Sequence, residues 1–349
     1  MSKVPRITID GADVEFIQGS YVLPGNFSSA NLEFILPDGQ KWGDMWNKEV
    51  TFFVDKGDSK PIFRGWINRT KRTFENLTVY AEDAMGFLLK GGDMHTATVA
   101  LTNRENVDGL TVGAAAVKLI ELAKLDDKVK TDYIRDTSPR IGTVQKKPLR
   151  GEMTVAQALK TLLQRPINLA DQDLPRPNIL KVGDDGTNAQ LMIELQADVN
   201  TAPIQHVYTE QTNIVKINII NRKPPTYIVV KGKGGVKGTF THDGARAALD
   251  TNYLEVVNDN LDSPAACKEF GARLYQANLA DIYEYGVEVT DGFYLTENEV
   301  IRIQTNDEDY SGNYRILGKR IEIGDNYKVG IIINRKAPTL IEYLESRDN

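Results

Sequence analysis

Apolar and polar side chains alternate from residue 6 to about residue 93, so the dominant period of this stretch is two. The clearest runs are Leu32–Leu36 and Val50–Val54, and turn-forming Gly, Asp and Pro residues separate the runs. Alternation places successive side chains on opposite faces of a strand, and short runs of this kind are typical of antiparallel sheets. The pattern predicts a small β-barrel or sandwich that ends in a short helix at Glu82–Leu89.

Apolar residues take up helical spacing in the middle of the chain. One helix is predicted to begin at Thr111, and a second at Thr154, where Gln157 completes a capping box. Two strand-like runs follow, Ile179–Val182 and Leu191–Leu195, and the Gly-Asp-Asp-Gly turn between them predicts a hairpin. This part of the sequence indicates an α+β insert.

Strands return after about residue 206 and flank one further helix. Ser263 is placed to cap that helix, Pro264 suits its first position, and Cys267 falls on its apolar face. The chain is therefore predicted to be α+β and mainly β. Three domains are expected: a first β-barrel at 1–94, an α+β insert at 95–205, and a second β-barrel with one helix at 206–349.

Composition narrows the class of protein. Among 349 residues, 41% are hydrophobic and 26% charged, which excludes an intrinsically disordered chain. A single cysteine excludes a disulfide framework, and a net charge of −6 argues against a general nucleic-acid or anionic-lipid binder. Apolar runs stay well below the ~18 residues that a membrane-spanning helix needs. We expect the chain to be made and folded in the cytoplasm and to have no membrane partner.

The residues that most often carry catalysis are few and scattered. His95, His206 and His242 lie far apart and lack the spacing of a zinc site. His242 stands next to Asp243, but adjacent residues rarely form a base with its orienting acid, so a turn histidine is favoured. Cys267 is interpreted as a small buried hydrophobe. We predict no catalytic residue, no metal site and no cofactor, and therefore no enzyme.

Two motifs match part of a known binding-loop pattern, but each lacks a residue that the pattern requires. Gly232–Thr239 begins like a phosphate loop, but Lys237 stands where glycine is required. A glycine- and lysine-rich hairpin is the favoured interpretation, with Lys231, Lys233 and Lys237 available to an acidic partner surface. Asp307–Gly312 resembles the first half of a calcium loop, yet position twelve is Gly318, which favours an acidic turn over a calcium site.

Several short motifs follow one another along the chain. An aromatic-x-Gly-aromatic-Ile strand at Phe63–Ile67 precedes a strand ending in Ala-x-Asp at Leu77–Ala84. The segment Gly151–Leu159 comes next, and a Gly-x-Tyr-x-Ile strand at Gly312–Ile316 and a turn at Gly324–Tyr327 follow later. In this order the motifs resemble those of phage tail baseplate hub proteins, the late control gene D family: the first two are similar to the first barrel of these hubs, the third to the insert between the barrels, and the last two to the second barrel.

The resemblance implies a structural role in a virion tail baseplate. Hubs of this family are homotrimers in which each chain contributes two tube-like β-barrels, so that a pseudo-six-fold ring joins a three-fold spike to a six-fold tube. The implied partners are the central spike protein, a tail tube or tube-adaptor protein and baseplate wedge proteins. The ring would initiate the tail tube and line the channel, where genomic DNA passes only in transit during ejection.

Basic residues beside a predicted barrel strand are the best candidates for contacts between subunits, with a solvated sheet edge as the equal alternative. They are Arg64, Arg69, Lys71 and Arg72, together with Lys231, Lys233 and Lys237 of the glycine-rich hairpin.

Two other functions stay open at this stage. The first is a glycan-binding or glycan-cleaving β protein of a tail tip, in which Trp42, Trp46 and Trp66 would form a sugar platform, although core and interface anchors are the favoured interpretation. The second is a tail-tube or adaptor protein, which would form rings of six subunits in place of three.

Overall fold

The structure is a computed structural model, and it describes most of the chain. The described residues are 3–24, 29–37, 44–86, 98–101, 110, 112–122, 125, 129–132, 134, 151–154, 178–195, 197–221, 225–241, 252–259, 261–280, 283–307, 310–324 and 327–335.

The chain forms two compact units, and both are discontinuous in sequence. Unit 1 comprises Met1–Gln196, Glu288–Asn298 and Leu317–Ile331. Unit 2 comprises Ala197–Val287, Glu299–Ile316 and Ile332–Asn349. Residues late in the chain therefore complete the first unit, while the domain boundaries at residues 94 and 205 stay a prediction.

Strands dominate both units, which confirms the prediction of a mainly β chain of the α+β class. In the first 196 residues the strands and the helix are β1 (Arg6–Ile9), β2 (Ala12–Val14), β3 (Gln18–Leu23), β4 (Asn31–Pro37), β5 (Glu49–Phe53), β6 (Phe63–Arg72), β7 (Asn76–Asp83), β8 (Thr98–Leu101), α1 (Val112–Leu122), β9 (Gly151–Thr154), β10 (Asn178–Asp184) and β11 (Ala189–Leu195). The later elements are β12 (Ile204–Thr209), β13 (Ile214–Asn221), β14 (Tyr227–Lys231), a 3-10 helix (Lys233–Gly235), β15 (Lys237–Thr241), β16 (Tyr253–Val257), α2 (Pro264–Ala280), β17 (Tyr283–Val289), β18 (Val300–Gln304), β19 (Gly312–Ile323) and β20 (Lys328–Arg335).

The main sheet of unit 1 follows the order β19-β3-β4-β7-β6-β5-β1-β2. The alternation seen in the sequence becomes burial here, because Leu32, Phe34 and Leu36 of β4 are buried while Glu33 is exposed. The predicted hairpin is also confirmed, since β10 and β11 pair antiparallel over their full lengths. Closure of these strands into barrels stays a prediction.

One pairing in unit 1 joins residues from opposite ends of the chain. Strand β3 pairs antiparallel with the second half of β19, and Tyr21 lies opposite Ile321. Both side chains are buried. Nothing in the alternating pattern of either segment identifies the other as its partner, so the sequence analysis did not predict this pairing.

In unit 2 a three-stranded sheet packs against helix α2. Strand β14 lies in the middle, antiparallel to β15 and parallel to β16. Ile228 and Val230 of this strand, with Cys267 and Tyr275 of the helix, form its buried core. A Cβ atom at Gly238 would lie 2.4 Å from the backbone nitrogen of Lys268. This part of the glycine-rich motif therefore allows the helix to lie directly on β15.

Two of the predicted helices are confirmed, as α1 and α2. The predicted helix at Glu82–Leu89 begins later than expected, because Glu82 and Asp83 still belong to β7 and only residues 84–86 form a helical turn; residues 87–89 lie outside the described residues. Helix α1 begins at Val112, directly after the predicted cap. Helix α2 begins at Pro264, and the amide of Ala266 donates a hydrogen bond of 3.2 Å to Ser263 Oγ. The helix predicted after Thr154 lies outside the described residues, and Thr154 itself ends β9. Neither described helix is long and apolar enough to cross a bilayer.

The junction after β7 contains a buried carboxyl group. Asp83 accepts hydrogen bonds of 3.0 Å from Ser29 Oγ and from the amide of Met85, which lies in the helical turn at residues 84–86. Burial raises the pKa of Asp83 from 3.8 to about 7, although these hydrogen bonds oppose the shift. The folded protein therefore retains a proton that the unfolded chain releases at lower pH.

We expect the variant Asp83→Asn to remove a pH dependence of stability. Because the folded-state pKa is raised, the stabilisation linked to this proton is complete below pH 3.8 and declines until about pH 7. Urea unfolding at several pH values measures this effect. The free energy of unfolding of the wild type should fall relative to that of the variant as the pH rises from 3.8 to about 7. A difference between them that does not change with pH would contradict the assignment.

The glycine in the aromatic-x-Gly-aromatic motif stands where two strands approach closely. Gly65 lies opposite Asp83 in the pairing of β6 with β7. A Cβ atom at this position would lie 2.2 Å from the carbonyl oxygen of Glu82 and 2.5 Å from Phe63 Cζ. A side chain therefore cannot enter without moving backbone.

We predict that Gly65→Ala lowers the free energy of unfolding by about 2 kcal/mol or more, as overpacking commonly does. The urea midpoint measures the change. Gly57→Ala is the matched control, because a Cβ atom there meets nothing within 4 Å. Equal stability of the two variants would contradict the steric explanation.

Candidate assembly surfaces

Strand β6 of unit 1 is longer than the strand beside it. Strand β5 pairs with it only as far as Trp66, and the amide of Asn47 extends the contact by a hydrogen bond of 2.9 Å to the carbonyl of Ile67. Beyond Ile67, no strand among the described residues pairs with this edge, whereas the other edge pairs with β7 as far as Arg72. We call the stretch Asn68–Arg72 the basic edge.

Three of the predicted contact residues project from the basic edge. Arg69, Lys71 and Arg72 are exposed, and the pairing register shifts by one residue between Ile67 and Arg69. The guanidinium carbon of Arg69 lies 3.9 Å from the centre of the Tyr80 ring. Such a contact stabilises an exposed arginine by about 0.5–1 kcal/mol and holds its charge near the strand.

A pocket of about 300 Å³ adjoins the basic edge. Its apolar lining comes from Met45, Trp46, Ile67 and Leu77, and its charged lining from Asp44, Arg69 and Arg72. Trp46 remains 50% exposed, so a large aromatic surface stays accessible beside two arginines. Sequence analysis missed this pocket because residues 44–46 and β6 are brought together only by the pairing of β5 with β6.

Arg64 lies on the same strand, but unlike the residues of the basic edge it forms ion pairs within unit 1. Its Nε lies 2.5 Å from Asp184 Oδ2, its Nη1 lies 2.5 Å from Glu49 Oε1, and its Nη2 donates a hydrogen bond to the carbonyl of Gly186. The side chains of Arg64 and Asp184 are only 10% and 7% exposed. Arg64 thus anchors the β10–β11 hairpin to β6 within unit 1, while its contact with another subunit stays a prediction.

The pKa values of this ion pair reflect burial and pairing together. Burial raises the pKa of Asp184, and the hydrogen bond and charge of Arg64 counteract that effect. The pKa of Arg64 is raised despite burial, because Asp184 and Glu49 stabilise its charged form. Removal of the guanidinium would leave the Asp184 carboxylate buried without its cation.

We expect Arg64→Met to lower the free energy of unfolding by about 3 kcal/mol, the usual cost of breaking a buried ion pair from one side. Urea denaturation measures it. Arg320→Met is the control, because Arg320 pairs with Glu322 at 3.4 Å on an exposed surface. A loss below ~1 kcal/mol for both variants would show that the Arg64 pair is not structural.

The three lysines of the glycine-rich hairpin lie at one end of the small sheet of unit 2. Lys231 lies directly opposite Lys237 in the pairing of β14 with β15, and Lys233 is in the 3-10 helix that joins them. Glu255 of β16 forms an ion pair with Lys231 and accepts a hydrogen bond from the Tyr253 hydroxyl. The structure thus brings these lysines together as a second basic surface, where Lys233 and Lys237 are exposed.

Of the other residues singled out in the sequence, those that the structure describes form no common site. Cys267 is buried in α2. His206 lies in β12, whereas His95, His242 and Trp42 lie outside the described residues. Trp66 is 7% exposed, so it does not share an open sugar platform with Trp46.

The acidic turn that resembles half a calcium loop is only partly described. Strands β18 and β19 flank it as predicted, and the amide of Tyr310 donates a hydrogen bond to the carbonyl of Asp307. Ser311 Oγ donates to the carbonyl of Thr305, and these bonds define a turn. Residues 308–309 lie outside the described part. Within that part, no cluster of three or more His, Cys, Asp or Glu side chains could hold a metal ion.

Comparison with solved structures identifies the fold. No family model and no curated protein matches the sequence. The chain is similar to the tail protein from Neisseria meningitidis MC58, with a TM-score of 0.69 at 14% identity over 95% of this chain and 98% of that one. It is also similar to the 43 kDa tail protein of prophage MuSo2 from Shewanella oneidensis, with a TM-score of 0.63 at 13% identity over 95% and 98% of the two chains.

A third similar structure belongs to a secretion apparatus. The E. coli c3393 protein, a component of the type VI secretion system, matches with a TM-score of 0.53 at 11% identity over 96% of this chain and 80% of that one. That protein itself exhibits structural similarity to the T4 bacteriophage tail proteins gp27 and gp5. The chain therefore has the fold of phage-tail-type proteins.

Proposed function

We propose that the chain is a structural component of a bacteriophage tail or of a phage-like tail. The observation that carries the proposal is the extent of the likeness, because tail proteins from two bacteria match almost the whole chain and are themselves matched almost completely. A shared domain alone would leave a large part of one chain unmatched. The virion tail is accordingly the proposed location, and the proposed role is assembly without catalysis.

Within the tail, we propose the role of a homotrimeric baseplate hub. Each chain would contribute two tube-like domains, so that three chains form a pseudo-six-fold ring between the spike and the tube. The motifs at Phe63–Ile67 and Gly312–Ile316 support this, because both occur on strands as the hub resemblance implies. Hub partners would be the central spike, the tube or tube-adaptor protein and baseplate wedge proteins.

The charge of the chain is compatible with a channel wall. A net charge of −6 limits attraction to phosphates, so DNA in transit would not be retained by the wall. Local basic surfaces would then serve contacts between proteins. Of the predicted contact residues, Arg69, Lys71 and Arg72 suit this role because they are exposed beside a strand edge that no described strand pairs with.

A tail-tube or adaptor protein is the nearest alternative within the same fold, and subunit number separates the two. We expect sedimentation velocity of the full chain to show a species of three times the chain mass that persists on dilution. A ring of six would favour the tube or adaptor role. A monomer at every concentration tested would contradict the hub proposal.

A further inference from the structure

We propose that the basic edge and its pocket form a docking site for an extended acidic segment of another protein, which adds to β6 as an extra strand. The inference rests on the proposed function in one respect, since that protein would be another component of the tail. The site itself is argued from the geometry of unit 1.

One edge of β6 has backbone groups available to an added strand. Strand β7 pairs with one edge of β6 from Gly65 to Arg72, while β5 and residues 47–48 cover the other edge only as far as Ile67. Along Asn68–Arg72 the second edge therefore presents amide and carbonyl groups with no strand opposite them among the described residues. Such an edge is a template for an incoming strand, whose main-chain hydrogen bonds supply affinity.

The pairing register of β6 with β7 indicates which side chains an added segment should carry at alternate positions. Arg69 and Lys71 lie opposite Tyr80 and Thr78, on one face of the sheet. Arg72 and Thr70 lie on the other face, opposite Leu77 and the buried Val79, and both line the pocket, to which Arg69 also contributes. A strand added beside them projects alternate side chains to the two faces. The best segment therefore alternates acidic residues, which meet Arg69 and Lys71, with apolar residues, which enter the pocket.

The positive charge of the basic edge favours an acidic segment. No carboxylate in the described part of the chain forms an ion pair with Arg69, Lys71 or Arg72. Asp44 contributes one negative charge to the pocket lining against two arginines, so the balance there stays positive. An acidic segment would gain charge-assisted hydrogen bonds from this edge, whereas a basic segment would be repelled.

Size favours one extended segment over the edge of a second folded sheet. The unpaired stretch is short, and residues 44–48 bound it at the end where β5 stops. The pocket volume of about 300 Å³ is at the lower limit for ligand sites and suits one or two apolar side chains. Trp46, half exposed, supplies the aromatic contact surface that docking sites commonly use.

The test uses the full chain and a fluorescein-labelled peptide, Ser-Glu-Leu-Glu-Val-Glu-Ser, with binding followed by fluorescence anisotropy. We expect saturable binding that weakens at high salt. The affinity for the peptide should fall at least tenfold in the variant Arg69→Glu/Lys71→Glu/Arg72→Glu. Lys233→Glu/Lys237→Glu, which changes the other exposed basic surface, should bind like the wild type. Replacing the three glutamates of the peptide with lysine should restore binding to the triple variant.

Two further probes separate strand addition from simple charge attraction. A peptide with proline in place of valine keeps all three negative charges but lacks one amide donor, and it should bind much more weakly than the parent peptide. Trp46→Ala should weaken binding of the leucine-containing peptide while leaving the basic edge intact, and it serves as the second variant if the triple variant does not fold. Equal binding of the proline peptide, or no binding to the wild type, would overturn the proposal.

The outcomes also separate this site from the proposed hub role. A stable trimer that does not bind the peptide overturns only the docking site. A monomer that binds it overturns the hub and leaves the site in place. If the triple variant loses its oligomeric state while no peptide binds, the occupant is a second copy of this chain and the docking proposal is wrong.

Discussion

A β-strand presents amide and carbonyl groups along both of its edges, and the requirement to pair them determines how this chain is built. In unit 1 the requirement is met across the whole sequence, because the second half of β19 returns to pair with β3. Without that pairing, β3 would expose one edge and Tyr21 would lose its buried neighbour Ile321. In the described part of the chain, one edge of β6 has no partner strand beyond Ile67, where β5 stops.

Local features of the sequence predicted local structure well. Alternation in β4 became alternating burial, and the Ser263–Pro264 pair marked the start of α2, because both signals depend on neighbours in sequence. Contacts between distant residues were not predictable in this way. Arg64 and Asp184 are 120 residues apart, and a basic residue on a strand does not indicate which carboxylate it will meet. Arg64 is therefore an anchor within unit 1, while its predicted contact with another subunit stays a prediction.

The glycine-rich motif shows how a sequence signal can have a different physical cause. Its glycines suggested a loop around a phosphate until the spacing excluded one. In the folded unit, Gly238 is required because helix α2 lies directly on β15, and the adjacent lysines gather at the end of that sheet as a consequence. The basic edge of β6 arises differently, since its exposure follows from the unequal lengths of β5 and β6. Two basic surfaces thus occur on a chain whose net charge is negative.

The chain shares its fold with tail proteins, and we propose that three chains form one pseudo-six-fold ring. Electron microscopy of the purified full chain tests this proposal through the symmetry of end-on views. We expect rings with three-fold symmetry and six similar lobes, two from each chain. Isolated particles of the size of a single chain, with no ring in any view, would contradict it.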